Sequence, residues 1–118
     1  IADASNVVAA DYVGVVSGND VPDKLLKTGW HTCASKFVDA PIIEELPMTL
    51  ECRMESYDEE DELLIGQIVN VSADEKILTD GKIDPAKLRP ITYDPAGHTY
   101  VVLGEKVGNA FFDGKQLK

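Results

Sequence analysis

From Asn6 to Val16 the chain places apolar residues at Val7, Val8, Tyr12, Val15 and Val16, the spacing of one helix face, and this predicts a helix. Asp3 or Ser5 is placed to cap its start, and Ser17-Gly18-Asn19-Asp20 to stop it. Asp20 can then cap a second short helix with Pro22 in its first turn, ending at Thr28-Gly29. Beyond His31 the pattern becomes strand-like and is broken by Pro41 and Pro47. Proline has no N–H for a central ladder, so Ala40 to Pro47 is expected at a sheet edge or as a link between sheets.

Met48 to Ser56 alternates apolar and polar residues, which predicts a half-buried strand with Leu50, Cys52 and Met54 facing inward. The acidic run Asp58-Glu59-Glu60-Asp61-Glu62 is the natural turn after it, and Leu63 to Val71 is the partner strand of a hairpin. Gly66 inside that partner predicts a bulge or a close approach. Asp84-Pro85 is expected to start one helical turn before Leu88, Thr99 to Leu103 reads as a strand, and Val107, Ala110 and Phe111 suggest a short helix face near the end. The fold expected is helices first and an antiparallel sheet after them, mainly β with short helices, in an α+β or small-barrel arrangement.

Composition narrows the partners. The 118 residues, 44% hydrophobic and 27% charged, suit a single domain over 1–118 with a real core. A formal charge of −10 repels phosphate backbones and anionic membrane surfaces, which argues against nucleic acid and membrane as partners. No apolar run is long enough to span a bilayer, and the first residues carry no export signal, so a cytoplasmic location is expected. The chain begins at Ile1 without Met, and an N-terminal segment is expected to be missing.

The candidate chemistry centres on Tyr93-Asp94-Pro95-Ala96-Gly97-His98-Thr99-Tyr100. A turn leads into a strand, and His98 and Tyr100, two apart, are expected on one face of it. A titratable ring beside an aromatic ring suits a flat, polar-edged ligand; read alone, the segment is better taken as a loop His beside a packing Tyr. His31, Cys33 and Cys52 lack the paired spacing of a zinc site, and the acidic run lacks that of a calcium loop, so no metal is expected. Trp30 is expected either to cover the edge of a pocket or to anchor the core. No nucleophile–base arrangement or phosphate-cradling glycine loop stands out.

Several segments, taken in order, resemble one family: Ser17-Gly18-Asn19-Asp20 with Asp23-Lys24, Lys27-Thr28-Gly29, Val38 to Glu44 with Leu50-Glu51-Cys52, Ile65 to Val69, and Gly97-His98-Thr99-Tyr100 with Leu103-Gly104-Glu105. Their order and spacing over nearly the whole chain are similar to the flavin reductase-like proteins that include flavoredoxins. The resemblance implies an FMN-binding split β-barrel lacking its N-terminal strands here. It also implies a homodimer with flavin near the subunit interface, and electron transfer from NAD(P)H or another donor through flavin to a partner that the sequence does not identify.

Carried over by residue, the resemblance puts four positions at the cofactor. Lys24 would neutralise the phosphate or the reduced ring, and His98 and Tyr100 would hydrogen-bond and flank the ring, as binding rather than catalytic groups. Asp61 stands five residues before Gly66, where many relatives carry a His, and its carboxylate would repel a reduced flavin. Asn19 likewise replaces a common Arg, and Pro22 is an extra residue. The alternative implied by Asp61 is a non-catalytic split-barrel dimer module that has lost flavin binding.

Overall fold

The computed structural model describes all residues, Ile1–Lys118. A 3-10 turn at Ala4–Asn6 leads into helix α1, Val7–Val15, close to the expected limits. The second helix, α2, is shorter than expected, Lys24–Thr28, with Asp23 rather than Asp20 at its N-cap. Gly29 ends it in the left-handed region at φ 75°, a conformation that glycine adopts without a Cβ penalty.

The remainder is four antiparallel hairpins, each a separate two-stranded sheet. They pair β1 (Thr32–Ala34) with β2 (Pro41–Ile43), β3 (Met48–Asp58) with β4 (Leu63–Ala73), β5 (Leu78–Thr79) with β6 (Lys82–Ile83), and β7 (Ile91–Asp94) with β8 (Thr99–Val102). Mostly strand with short helices is therefore the fold, and Pro41 lies on an unpaired edge as its missing N–H requires. Helix α3, Pro85–Leu88, starts where Asp84-Pro85 predicts, and the Asp84 carboxylate accepts the Ala86 N–H at 2.9 Å.

The β3–β4 hairpin turns on the acidic run, and its ladder slips twice. One irregularity lies between Glu51 and Cys52, the other between Met54 and Ser56, where Gly66 pairs with Met54. A Cβ on Gly66 would stand 3.3 Å from the Cys52 Cβ. Both the bulge and the close approach expected of this glycine are present.

Burial departs most from expectation. Leu50, Cys52 and Met54 are exposed, with Met54 at 68%, while Glu51 on the opposite side of the strand is 4% exposed. The cause is that nothing in the chain covers the apolar side of the hairpin, whereas Glu51 accepts hydrogen bonds from the Ser35 hydroxyl and the Asn70 amide. These two bonds hold the Glu51 carboxyl below its ordinary range, the Asn70 bond most strongly.

The buried apolar centre is small: Trp30, Ile77 and Leu88. The expected helix near the end is absent. Residues 103–109 have no regular structure, and a 3-10 turn follows at Asp113–Leu117.

Candidate functional site

Asp94, the last residue of β7, organises the turn before β8. Its carboxylate accepts the N–H of Ala96 at 3.0 Å and of Gly97 at 3.1 Å, a side chain replacing a backbone acceptor two and three residues on. Gly97 leaves the space for it, since a Cβ there would lie 2.7 Å from Asp94 Oδ2. His98 closes the turn at φ 51°, a left-handed conformation for which His is among the better-suited residues. His98 therefore lies in the turn and not on the strand face with Tyr100, because the chain turns for one residue more than the alternation argument allows.

Tyr100 faces Tyr93 across the hairpin, with ring centroids 5.8 Å apart and planes tilted by 57°. The two rings keep 40% and 54% of their surface exposed, so they form a shallow aromatic wall. The Tyr100 hydroxyl donates to Asp11 Oδ1 on α1 at 2.9 Å. That bond to a carboxylate raises the pKa of the phenol and keeps it a donor.

Lys24 reaches the same helix from α2. Its Nζ donates to the carbonyls of Val13 and Val16, each at 2.8 Å, which are among the groups that a helix end leaves unpaired. A positive charge at this end is also favoured by the helix dipole. Helix α1 is thus the common support of Lys24 and Tyr100, and His98 is carried by the hairpin that Tyr100 anchors. Asp61 stands apart, in the turn between β3 and β4, with its N–H donated to Asp58 Oδ1 at 3.0 Å. No hydrogen bond or ion pair joins it to the other three positions.

An open cleft of about 470 Å³ lies between α1, α2 and the segment before β3, lined by Asn6, Tyr12, Lys27, Thr28, Trp30 and Glu45 among others. Trp30 is 7% exposed and donates its Nε1–H to Asn6 Oδ1 at 3.0 Å, so it both anchors the core and walls a pocket. At the rim, the His31 N–H donates to Glu45 Oε2 at 2.8 Å and its Nδ1 lies 2.6 Å from Oε1. The hydrogen bond to Glu45 raises the pKa of His31. Cys33 and Cys52 are exposed free thiols.

Asp11 and Asn6 escape sequence reading because nothing local marks them: their roles come from the bonds to Tyr100 and Trp30, 89 and 24 positions away.

These residues fit part of a flavin site. A half-exposed tyrosine pair fixed to a helix, with a His-bearing turn beside it, matches a flat ring with a polar edge, and Lys24 has one of its three N–H donors left for an anion. The phosphate side is less complete, since Lys24 already serves two carbonyls and position 19 is Asn.

No family model matches the chain, and no curated protein does. Solved structures do. The chain is similar to flavoredoxin of Desulfovibrio vulgaris (Miyazaki F), with 34% identity and a TM-score of 0.89 over 97% of this chain and 62% of that one. Flavoredoxin from Methanosarcina acetivorans is similar at 29% identity and a TM-score of 0.86, over 98% of this chain and 62% of that one. An FMN-binding domain of a flavin reductase-like enzyme from Shewanella baltica shares the fold, with 23% identity and a TM-score of 0.70 over 89% of this chain and 58% of that one. The chain thus spans about three-fifths of the length of the flavoredoxins it matches.

Proposed function

This chain belongs to the flavin reductase-like family that includes the flavoredoxins, and on that premise we propose that it forms part of an FMN-binding oxidoreductase or flavin-dependent electron carrier. The observation that carries the proposal is the match to flavoredoxin over 97% of the chain. It is supported by the independent geometry of Tyr93 and Tyr100, an aromatic pair held open to solvent by a buttress on α1. In this reading residues 1–118 are part of one flavin reductase-like domain of split-barrel form, cytoplasmic, and working as a homodimer. NAD(P)H or another donor delivers the electrons.

The flavin supplies the redox chemistry when bound, and the protein supplies placement and electrostatics. Tyr100 flanks the ring, with its hydroxyl engaged by Asp11 so that the ring orientation is fixed. His98, at the edge of the same hairpin, offers a ring N to a polar edge of the flavin. Lys24 contributes positive charge from the C-terminal end of α1. Asp61, which the family match assigns to the flavin but which stands apart from these three residues in the β3–β4 turn, would lower affinity through its negative charge.

The test is the visible spectrum of the full-length protein. A flavin band that bleaches with dithionite or reduced nicotinamide is expected; a colourless protein that binds no added FMN refutes the proposal. A second reading, a dimer module that has lost flavin, is favoured by Asp61 alone. Asp61→His distinguishes them, because a rise in FMN affinity of about tenfold, near 1.4 kcal/mol, would identify Asp61 as the cause of weak binding.

A further inference from the structure

The bond between Tyr100 and Asp11 has a direction. A phenol carries a single proton and a pair of acceptor lone pairs, and the Tyr100 proton is directed at Asp11 Oδ1, with the two oxygens 2.9 Å apart. An ionised carboxylate can only accept, so the bond cannot reverse. The proton stays on Tyr100 through the neutral range, because the carboxylate raises the phenol's pKa further above it. Toward any third group Tyr100 therefore offers lone pairs alone, and the carboxylate behind it makes them stronger acceptors.

Among the four tyrosines only Tyr100 has its hydroxyl fixed in this way. Tyr93, the other ring of the pair, keeps a hydroxyl that rotates and can donate or accept. Lys24 has the opposite character to Tyr100: its ammonium is a donor only, with one N–H left beyond the carbonyls of Val13 and Val16. Both side chains are fastened to α1. The helix thus sets an obligate donor at its C-terminal end and an obligate acceptor beside Asp11, which suits a ligand with an anionic group at one end and an N–H edge at the other.

We propose that Asp11 is a positioning residue that fixes Tyr100 as a hydrogen-bond acceptor, and that the group Tyr100 recognises is a ring N–H of the flavin. The inference rests on the flavin reading above and assigns the direction of one of its contacts. An oxidised isoalloxazine has its ring N–H at N3, and two-electron reduction adds one at N5, an atom that only accepts before reduction. A freely rotating hydroxyl would serve either kind of edge; Tyr100 selects a donor. A contact at N3–H orients the ring equally in both redox states, whereas a contact at N5–H favours the reduced ring.

The experiment uses the full-length protein with Tyr100→Phe, which removes the oxygen, and Asp11→Asn, which keeps the bridge but lets the amide donate and so frees the phenol proton for the ligand. Tyrosine labelled with ¹³C at Cζ, assigned through Tyr100→Phe, should show Tyr100 titrating above 10.0 and returning toward it in Asp11→Asn. Binding is read by fluorescence titration with FMN and with N3-methyl-FMN. A contact at N3–H predicts that the original protein prefers FMN by about tenfold and that both variants lose this preference. A contact at N5–H predicts instead that both variants lower the midpoint potential of bound FMN by about 30 mV, a tenfold loss of preference for the reduced ring. A merely structural bridge would leave both quantities unmoved in Asp11→Asn. That outcome in a protein that binds FMN, or a Tyr100 that titrates at its ordinary value, would overturn the acceptor role and leave the flavin reading standing. A protein that binds no FMN would overturn the flavin reading, and this contact with it.

Discussion

Replacing Gly97 with Ala tests whether the turn that carries His98 depends on the Asp94 carboxylate. The new Cβ would meet Asp94 Oδ2 at 2.7 Å, closer than real Cβ contacts come, so the carboxylate must swing away and release the N–H groups of Ala96 and Gly97. Two such bonds are worth about 0.5–1.5 kcal/mol each, and at this largely exposed site a loss of about 1–2 kcal/mol is expected. For a domain of this size that lowers the melting temperature by about 4–10 °C.

The decisive comparison is a double-mutant cycle in the full-length protein. With Asp94→Ala already in place the clashing atom is gone, and Gly97→Ala should be neutral or stabilising by about 0.4–1 kcal/mol through a less flexible unfolded chain. The coupling energy, read from urea unfolding, should therefore be about 1–3 kcal/mol. FMN affinity should weaken several-fold in the single variant as His98 shifts. A Gly97→Ala penalty of the same size in both backgrounds would refute the reasoning.

Asn70→Ala should destabilise most near neutral pH, because the native Glu51 carboxyl is held below its ordinary 4.5. That stability is present above 4.5 and is lost as pH falls through the lower native value, so the gap between original and variant should narrow in acid; a gap constant from pH 7 to pH 3.5 would contradict it. His31 should titrate above 6.5 by NMR, and Glu45→Gln should bring it back down; an unchanged value would exclude the Glu45 bond as the cause. The small stability contributed by a raised His31 is present below its unfolded value and disappears as pH rises through the native one. Ile77→Ala, at a site 2% exposed, should cost about 2–5 kcal/mol in chemical denaturation. A loss below 1 kcal/mol would mean that Ile77 is not a core residue.

Local signals carried most of the elements. The 3.6 spacing of Val7 to Val16 marked α1, the acidic run marked the β3–β4 turn, Gly66 marked the bulge, and Asp84-Pro85 marked α3. Second-helix limits were misread because Pro22 and Asp20 suit a turn as well as a helix start, and the turn was adopted. The alternation of Leu50, Cys52 and Met54 located a strand but not what covers it; burial is decided by neighbours, and here the chain provides none.

Among the candidate site residues, the sequence pointed to Tyr100 and His98 but misplaced His98 by one residue of turn. Lys24 was identified with no hint that two carbonyls of α1 hold it. Asp11 was invisible, since its role exists only once β8 is in place.

That last bond also orders events in time. The four hairpins each close between neighbours in the chain, so their assembly is rapid and independent. Tyr100 and Asp11 are 89 residues apart, and bringing them together confines nearly the whole polypeptide in one loop, an entropic toll settled only after the intervening hairpins have shortened it. The docking of the β7–β8 hairpin on helix α1 should consequently be the last of these contacts to form. The tyrosine that faces the proposed cofactor would then serve as the latch whose closing marks a completed fold.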